Sequence, residues 1–252
     1  MKKIVLSDLG LEYSIQTGQR KSFRVSGLEC FTGGYLVPDT AKPKSKRIRA
    51  LSNVSMTIHD GERWALLGHN GAGKTSLLKV MAGIYSPTSG TIQTHGEITP
   101  MISQSLGFEL EDTGFENIIS GGMRLGRTRQ EMIDIAPDIA MFSELGEFLD
   151  LPLKTYSSGM LSRLSFSVAT SIEPDILLLD EGFGAADHSF ASKVASRTAD
   201  LIANTGTLIL ASHSETLVKS MCEKAAFFAR GELQATGPVD EVYREYISSL
   251  RT

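Results

Sequence analysis

A chain of 252 residues with 41% apolar content is long enough to bury the core of one large α/β domain. Twenty-five basic against 29 acidic side chains leave a net charge of −4, which excludes a nucleic-acid binder held by bulk electrostatics. No apolar run reaches the roughly 18 residues of a membrane span, so any membrane role is predicted to be peripheral.

The opening Met1-Lys2-Lys3-Ile4-Val5-Leu6 is interrupted by Ser7, Asp8 and Glu12 before a signal-peptide core could form, which predicts a cytosolic chain. Cys30 and Cys222 lack any metal-ligand spacing and read as free thiols. Residues 14–50 are poor in apolar periodicity and rich in Gly, Pro, Ser, Lys and Arg, which predicts a loop-rich insertion with the regular fold resuming near Leu51. Within it Lys42, Lys44, Lys46, Arg47 and Arg49 form a cationic run, read as a solvated loop or a surface for anionic lipid or an acidic partner.

Beyond Leu51 the apolar runs Trp64–Leu67, Ile176–Leu179 and Leu208–Ala211 are predicted to be buried parallel strands alternating with helices, an α/β pattern. Between the first two, about 115–169 has helical composition and predicts an inserted α-helical subdomain. Val242, Tyr243 and Ile247 at helical spacing after Gly237-Pro238 predict a closing helix over 239–250.

The chemistry begins at Gly68-His69-Asn70-Gly71-Ala72-Gly73-Lys74-Thr75, which fits GxxxxGK[ST] between an apolar strand and the helical run from Ser76 to Ala82. Glycines let successive N–H groups turn inward, and the helix N-terminus adds partial positive charge, so the loop can solvate a triphosphate. Lys74 would neutralise β- and γ-phosphate oxygens, and Thr75 would offer a hydroxyl to Mg²⁺. The strand Ile176–Leu179 ends in Asp180 and Glu181, where strand ends gather at the ligand edge of an α/β sheet. Asp180 is expected to reach the metal shell and Glu181 to face the γ-phosphate and its attacking water.

With these motifs, Tyr156-Ser157-Ser158-Gly159-Met160 before a helical run, Gly184-Ala185-Ala186-Asp187, and His213 after the strand Leu208–Ala211, the chain resembles the nucleotide-binding subunits of ABC transporters from about Leu51 to Tyr246. The resemblance implies a P-loop NTPase domain spanning 1–252, with a mainly parallel sheet core, an antiparallel β subdomain and an inserted α-helical subdomain. ATP and Mg²⁺ are the implied cofactors. Glu181, His213 and Lys74 would be catalytic, and Gly68 to Ser76 would cradle the phosphates. Thr75, Asp180 and Gln104 would serve the metal, although the usual glutamine position falls on Ser105. Tyr13 is the aromatic assigned to adenine, with Phe23 and Tyr35 as alternatives. Ser157, Ser158 and Gly159 would close on the nucleotide of a second copy in a head-to-tail homodimer, coupled through Asp187.

Tyr156 to Met160, with Ser86 to Gly90, Gly107-Phe108 and Thr113 to Ile118, resembles the branch that exports capsule, O-antigen and teichoic acid. That implies an ATPase peripheral to the cytoplasmic side of the inner membrane, docked through Gly107–Asn117 on a separate integral permease that handles most of the glycan cargo, with no nucleic-acid partner. The alternatives are the ATPase of an importer or of a lipid or drug exporter, or a soluble ABC ATPase.

Overall fold

The computed structural model describes residues 1–16, 35–38, 45–102, 107–180 and 190–250. In chain order these form β1 (Lys2–Gln16), β2 (Tyr35–Pro38), β3 (Ser45–His59), β4 (Arg63–Leu67), α1 (Lys74–Met81), β5 (Ser89–Thr94), β6 (Ile98–Met101), α2 (Gly114–Arg124), α3 (Arg129–Ser143) and two 3₁₀ turns (Gly146–Asp150, Leu153–Thr155). They continue with α4 (Ser158–Ala169), β7 (Ile176–Asp180), α5 (Ala191–Asn204), β8 (Thr207–Ala211), α6 (Glu215–Met221), β9 (Lys224–Ala229), β10 (Glu232–Pro238) and α7 (Val239–Ser249). The chain divides into two compact units, Met1–Gly96 with Leu178–Glu181 and Thr207–Thr252, and Glu97–Leu177 with Gly182–Gly206.

In the first unit an antiparallel sheet of order β2-β3-β1-β5 accompanies a second sheet in which β10-β9-β4-β8-β7 lie side by side. The described parts of the expected loop over 14–50 are strands instead. β1 runs on to Gln16, β3 starts at Ser45, and β2 pairs with it through Tyr35↔Arg49 to Pro38↔Lys46, while 17–34 and 39–44 lie outside the described residues. The physical reason is that alternation outweighs composition. Ile48 and Ala50 are buried, whereas Arg47 and Arg49 on the opposite face pair with Glu12 across the ladder at 3.4 and 2.9 Å. Two members of the cationic run are thus cross-strand partners. The guanidinium of Arg49 is the main reason the Glu12 carboxyl sits below its ordinary range; partial burial opposes this and Arg47 adds to it.

β4, β8 and β9 are short apolar runs buried on both faces, the pattern of a sheet covered on two sides. β4 pairs in parallel with β8 (Leu66↔Ala211) and with β9 (Leu67↔Phe227). The core of this unit adds Leu77 and Leu78 of α1 and Val242, Tyr243 and Tyr246 of α7. Cys222 is buried here, which pushes its thiol up to about 12 and leaves it inert, while Cys30 lies outside the described residues.

In the second unit β6 lies beside the start of β7, and α2 and α3 each open on a reciprocal cap. Thr113 and Glu116, and likewise Thr128 and Glu131, exchange side-chain and backbone bonds, satisfying N–H groups that a helix start would otherwise leave bare. Their packed core is Ile118, Met132, Leu149, Leu153, Tyr156, Leu164 and Val168. No helix among the described residues is long and apolar enough to cross a membrane.

Candidate functional site: a phosphate-binding loop and its sheet edge

β4 ends at Leu67 and the chain turns at once through Gly68, with φ at +144°. A Cβ on Gly68 would stand 2.3 Å from the Phe228 carbonyl oxygen, and one on Gly73 (φ +103°) 2.6 Å from the Ala50 carbonyl oxygen. Both positions therefore require glycine for backbone angle and for space. Gly71 is left-handed as well, and Ala72 is buried, its N–H donating to His69 O and its carbonyl accepting from Gly231 N–H.

The loop runs directly into α1. Lys74 is 9% exposed and its Nζ donates to the carbonyl oxygens of Gly68 (2.5 Å) and His69 (3.2 Å). A nearly buried ammonium held by neutral carbonyls at a helix start is a fitting seat for an anion, which would replace dipoles with charge. Thr75 Oγ1 donates to Asp180 Oδ2 at 2.7 Å. That pair, a hydroxyl and a carboxylate at the edge of a phosphate loop, is the hard-oxygen donor set that suits Mg²⁺.

The parallel register explains how a distant histidine arrives. Leu66↔Ala211 pairing sets the residue two beyond Ala211 level with Gly68, and His213 Nε2 lies 3.0 Å from Asn70 Oδ1 and 3.5 Å from Lys74 Nζ. Its Nδ1 lies 3.4 Å from the Tyr246 hydroxyl of α7. On the other side of the loop, Tyr13 reaches Ser76 of α1. Burial pushes the Tyr13 phenol above its usual range, a hydrogen bond with Ser76 opposes this, and Tyr85 adds to it. The Tyr13 and Tyr85 rings meet edge to face at 5.7 Å.

Gly68 to Ser76, Tyr13, Asp180 and His213 thus share the first unit. Glu181, Gln104, Ser105, Phe23 and Gly184 to Asp187 lie outside the described residues, and of Tyr35 only the backbone is described. Ser157, Ser158 and Gly159 belong to the second unit, where Ser157 caps α4 by accepting from Met160 N–H at 3.2 Å, with both serines exposed. Tyr156 is turned inward instead: its hydroxyl donates to Phe148 O at 2.6 Å and rests against Gly114, so it braces the turn before the cap.

Three roles were not visible in the chain order. Asn70 partners His213, Tyr246 reaches it from the closing helix, and Asn117 is fully buried, accepting from Glu109 N–H and donating to the carbonyls of Glu109, Asp112 and Thr113. For Asn117 a signal was available, since an asparagine one residue beyond the N3 glutamate of a capping box can close the preceding turn.

Fold and site together define a P-loop nucleotide-binding domain, with loop, acidic strand end and histidine on the carboxyl edge of a partly parallel sheet. The model of the ABC transporter family matches residues 51–184, and this chain belongs to that family, whose cassettes bind ATP or ADP. The chain is 38% identical over 89% of its length to an O-antigen export system ATP-binding protein of Yersinia enterocolitica, covering 93% of that protein. It is 37% identical over 99% of its length to one of Myxococcus xanthus, of which it spans 56%. In fold it matches a dimeric ATP-binding cassette in a post-hydrolysis state with ADP and Pi, with a TM-score of 0.65 and 18% identity, over 94% of this chain and 98% of that one.

Proposed function

We propose that this chain, acting as a single ATPase domain, is the ATP-hydrolysing subunit of a transporter that exports a polysaccharide through a separate membrane permease. The observation that carries the reading is the sheet edge where Lys74, the Thr75–Asp180 pair and His213 converge. The names of the Yersinia and Myxococcus relatives support the O-antigen-like cargo.

In this reading the Gly68–Thr75 backbone and the Lys74 ammonium bind the triphosphate, and the Tyr13 ring meets the adenine. Thr75 and Asp180 would hold Mg²⁺, with Gln104 as a further ligand, and the ion would supply charge neutralisation on the phosphate oxygens. Glu181 polarises the lytic water, and His213 contacts the γ-phosphate. Ser157 to Gly159 of a second copy, a capped helix start with exposed serines, completes the anion pocket, and Asp187 couples the two halves. ATP then closes a homodimer and hydrolysis reopens it.

The permease docks on the segment 107–117, which Asn117 pins from within. Leu110 and Phe115 there, with Phe148 and Leu151 on the chain hydrogen-bonded to it, are large exposed apolar side chains that an amphipathic helix would cover. The test is purification of the complex from membranes and identification of the integral protein that comes with it. A two-component glycan permease retained by the wild type, with export lost in Lys74→Ala, is the expected result. A purely soluble partner would overturn the transport reading.

A further inference from the structure

His213 stands at the rim of the phosphate loop, and its ring carries different partners on its two nitrogens. Nε2 faces Asn70 Oδ1 at 3.0 Å, an atom that can only accept, and the Lys74 ammonium at 3.5 Å, which can only donate. The shorter contact favours the tautomer in which Nε2 carries the proton and donates to Asn70. In that tautomer Nδ1 is an acceptor, and the hydroxyl of Tyr246 at 3.4 Å is placed to donate to it.

Tyr246 is well placed to hold that orientation. It is 6% exposed, on α7, with its ring against Phe227 of β9 (centroids 5.6 Å apart) and Tyr243 (5.9 Å). Phe227 pairs with Leu67, the last residue before the phosphate loop. The hydroxyl is therefore fixed to the same sheet that carries the loop, while the imidazole sits at the end of a neighbouring strand. A hydroxyl fixed in this way biases the tautomer of a ring that would otherwise divide its population between two forms.

We infer that Tyr246 is a positioning residue for hydrolysis: its hydroxyl donates to His213 Nδ1 and so keeps the Nε2 proton aimed into the phosphate loop, ready to pass from Asn70 to a γ-phosphate oxygen. The inference rests on the proposed role of His213 at the γ-phosphate. It adds that the closing helix, remote in sequence from every phosphate-binding motif, sets which histidine nitrogen meets the nucleotide.

The experiment uses the full chain labelled with ¹⁵N-histidine. In the nucleotide-free wild type the His213 ring is expected to show a bare Nδ1 and a protonated Nε2, and Tyr246→Phe is expected to shift it toward a mixture of tautomers. Because the phenyl ring keeps the packing on Phe227 and Tyr243, the variant should stay folded, with thermal unfolding lowered only by the loss of one hydrogen bond. ATP turnover should then fall about twofold to tenfold, the factor expected for one neutral hydrogen bond, with KM for ATP unchanged.

A protonated Nδ1 in the wild type, or a Tyr246→Phe variant with the wild-type tautomer and turnover, would overturn the assignment. Since the wild-type spectrum decides by itself, a variant that failed to fold would not protect the idea. His213→Ala separates the two layers: wild-type turnover in that variant would refute the γ-phosphate reading, while the tautomer spectra would still decide what Tyr246 does.

Discussion

Replacing Gly73 by alanine tests the phosphate loop most sharply, because its cost can be worked out by comparison with a second glycine. Gly73 has φ at +103°, and its added Cβ would lie 2.6 Å from the Ala50 carbonyl oxygen and 3.0 Å from Leu51 Cδ2. Gly61 has φ at +79°, with nothing within 4 Å of the added atom. Gly61→Ala therefore carries backbone strain alone, about 1–2 kcal/mol. Gly73→Ala adds overpacking against backbone, about 1–3 kcal/mol, which the loop relieves by moving. Any such movement carries the adjoining Lys74 away from Gly68 O and His69 O. If that relief is charged to the bound state, nucleotide affinity falls about 5- to 150-fold. Calorimetric titration with ATP and thermal unfolding of both variants are the assay. Gly61→Ala should lose stability and keep wild-type affinity, whereas Gly73→Ala should lose affinity. Equal ATP affinity in the two variants would refute the argument that this glycine holds the cradle open.

Two further outcomes follow from particular contacts. Partial burial raises the Glu62 carboxyl, but the His59 N–H, the Lys224 ammonium and the Trp64 indole N–H outweigh it and hold it at about 2. A depressed acid stabilises the fold above its unfolded value of 4.5 and loses that contribution as pH falls from there toward about 2, so Glu62→Gln should flatten acid unfolding in that window; an unchanged pH dependence would contradict it. Tyr156→Phe removes only the hydroxyl that donates to Phe148 O and should cost about 0.5–1.5 kcal/mol in denaturant unfolding, with ATP affinity intact; a loss of ATP affinity instead would make Tyr156 a ligand contact.

The phosphate loop was legible in the chain because its requirements are local: glycines at fixed spacing, a strand before and a helix after. The apolar strands were legible for the same reason, and so were the helices between 114 and 169. Within 14–50, the strand residues 14–16, 35–38 and 45–50 are hidden by a composition rich in Gly, Pro, Ser, Lys and Arg that masks a short period-2 signal. In β3, Ile48 and Ala50 face the core while Arg47 and Arg49 face Glu12, a pairing that depends on a strand 35 residues earlier. Contacts of long sequence separation were the least accessible. Asn70 and His213 are 143 residues apart and meet only through the parallel register of β4 and β8, and Tyr246 showed in the pattern only as part of the closing helix. The Tyr156 to Met160 motif, read as a mark of subclass, divides physically into a buried brace and an exposed cap.

In the proposed mechanism two copies share each nucleotide, and the mass of the Glu181→Gln protein in solution measures this most directly. With ATP and Mg²⁺, light scattering should give twice the 27.3 kDa of one chain, returning to a single chain when nucleotide is removed or when Ser157 is also replaced by a bulky residue. A variant that binds ATP at saturation yet stays at 27.3 kDa would contradict it.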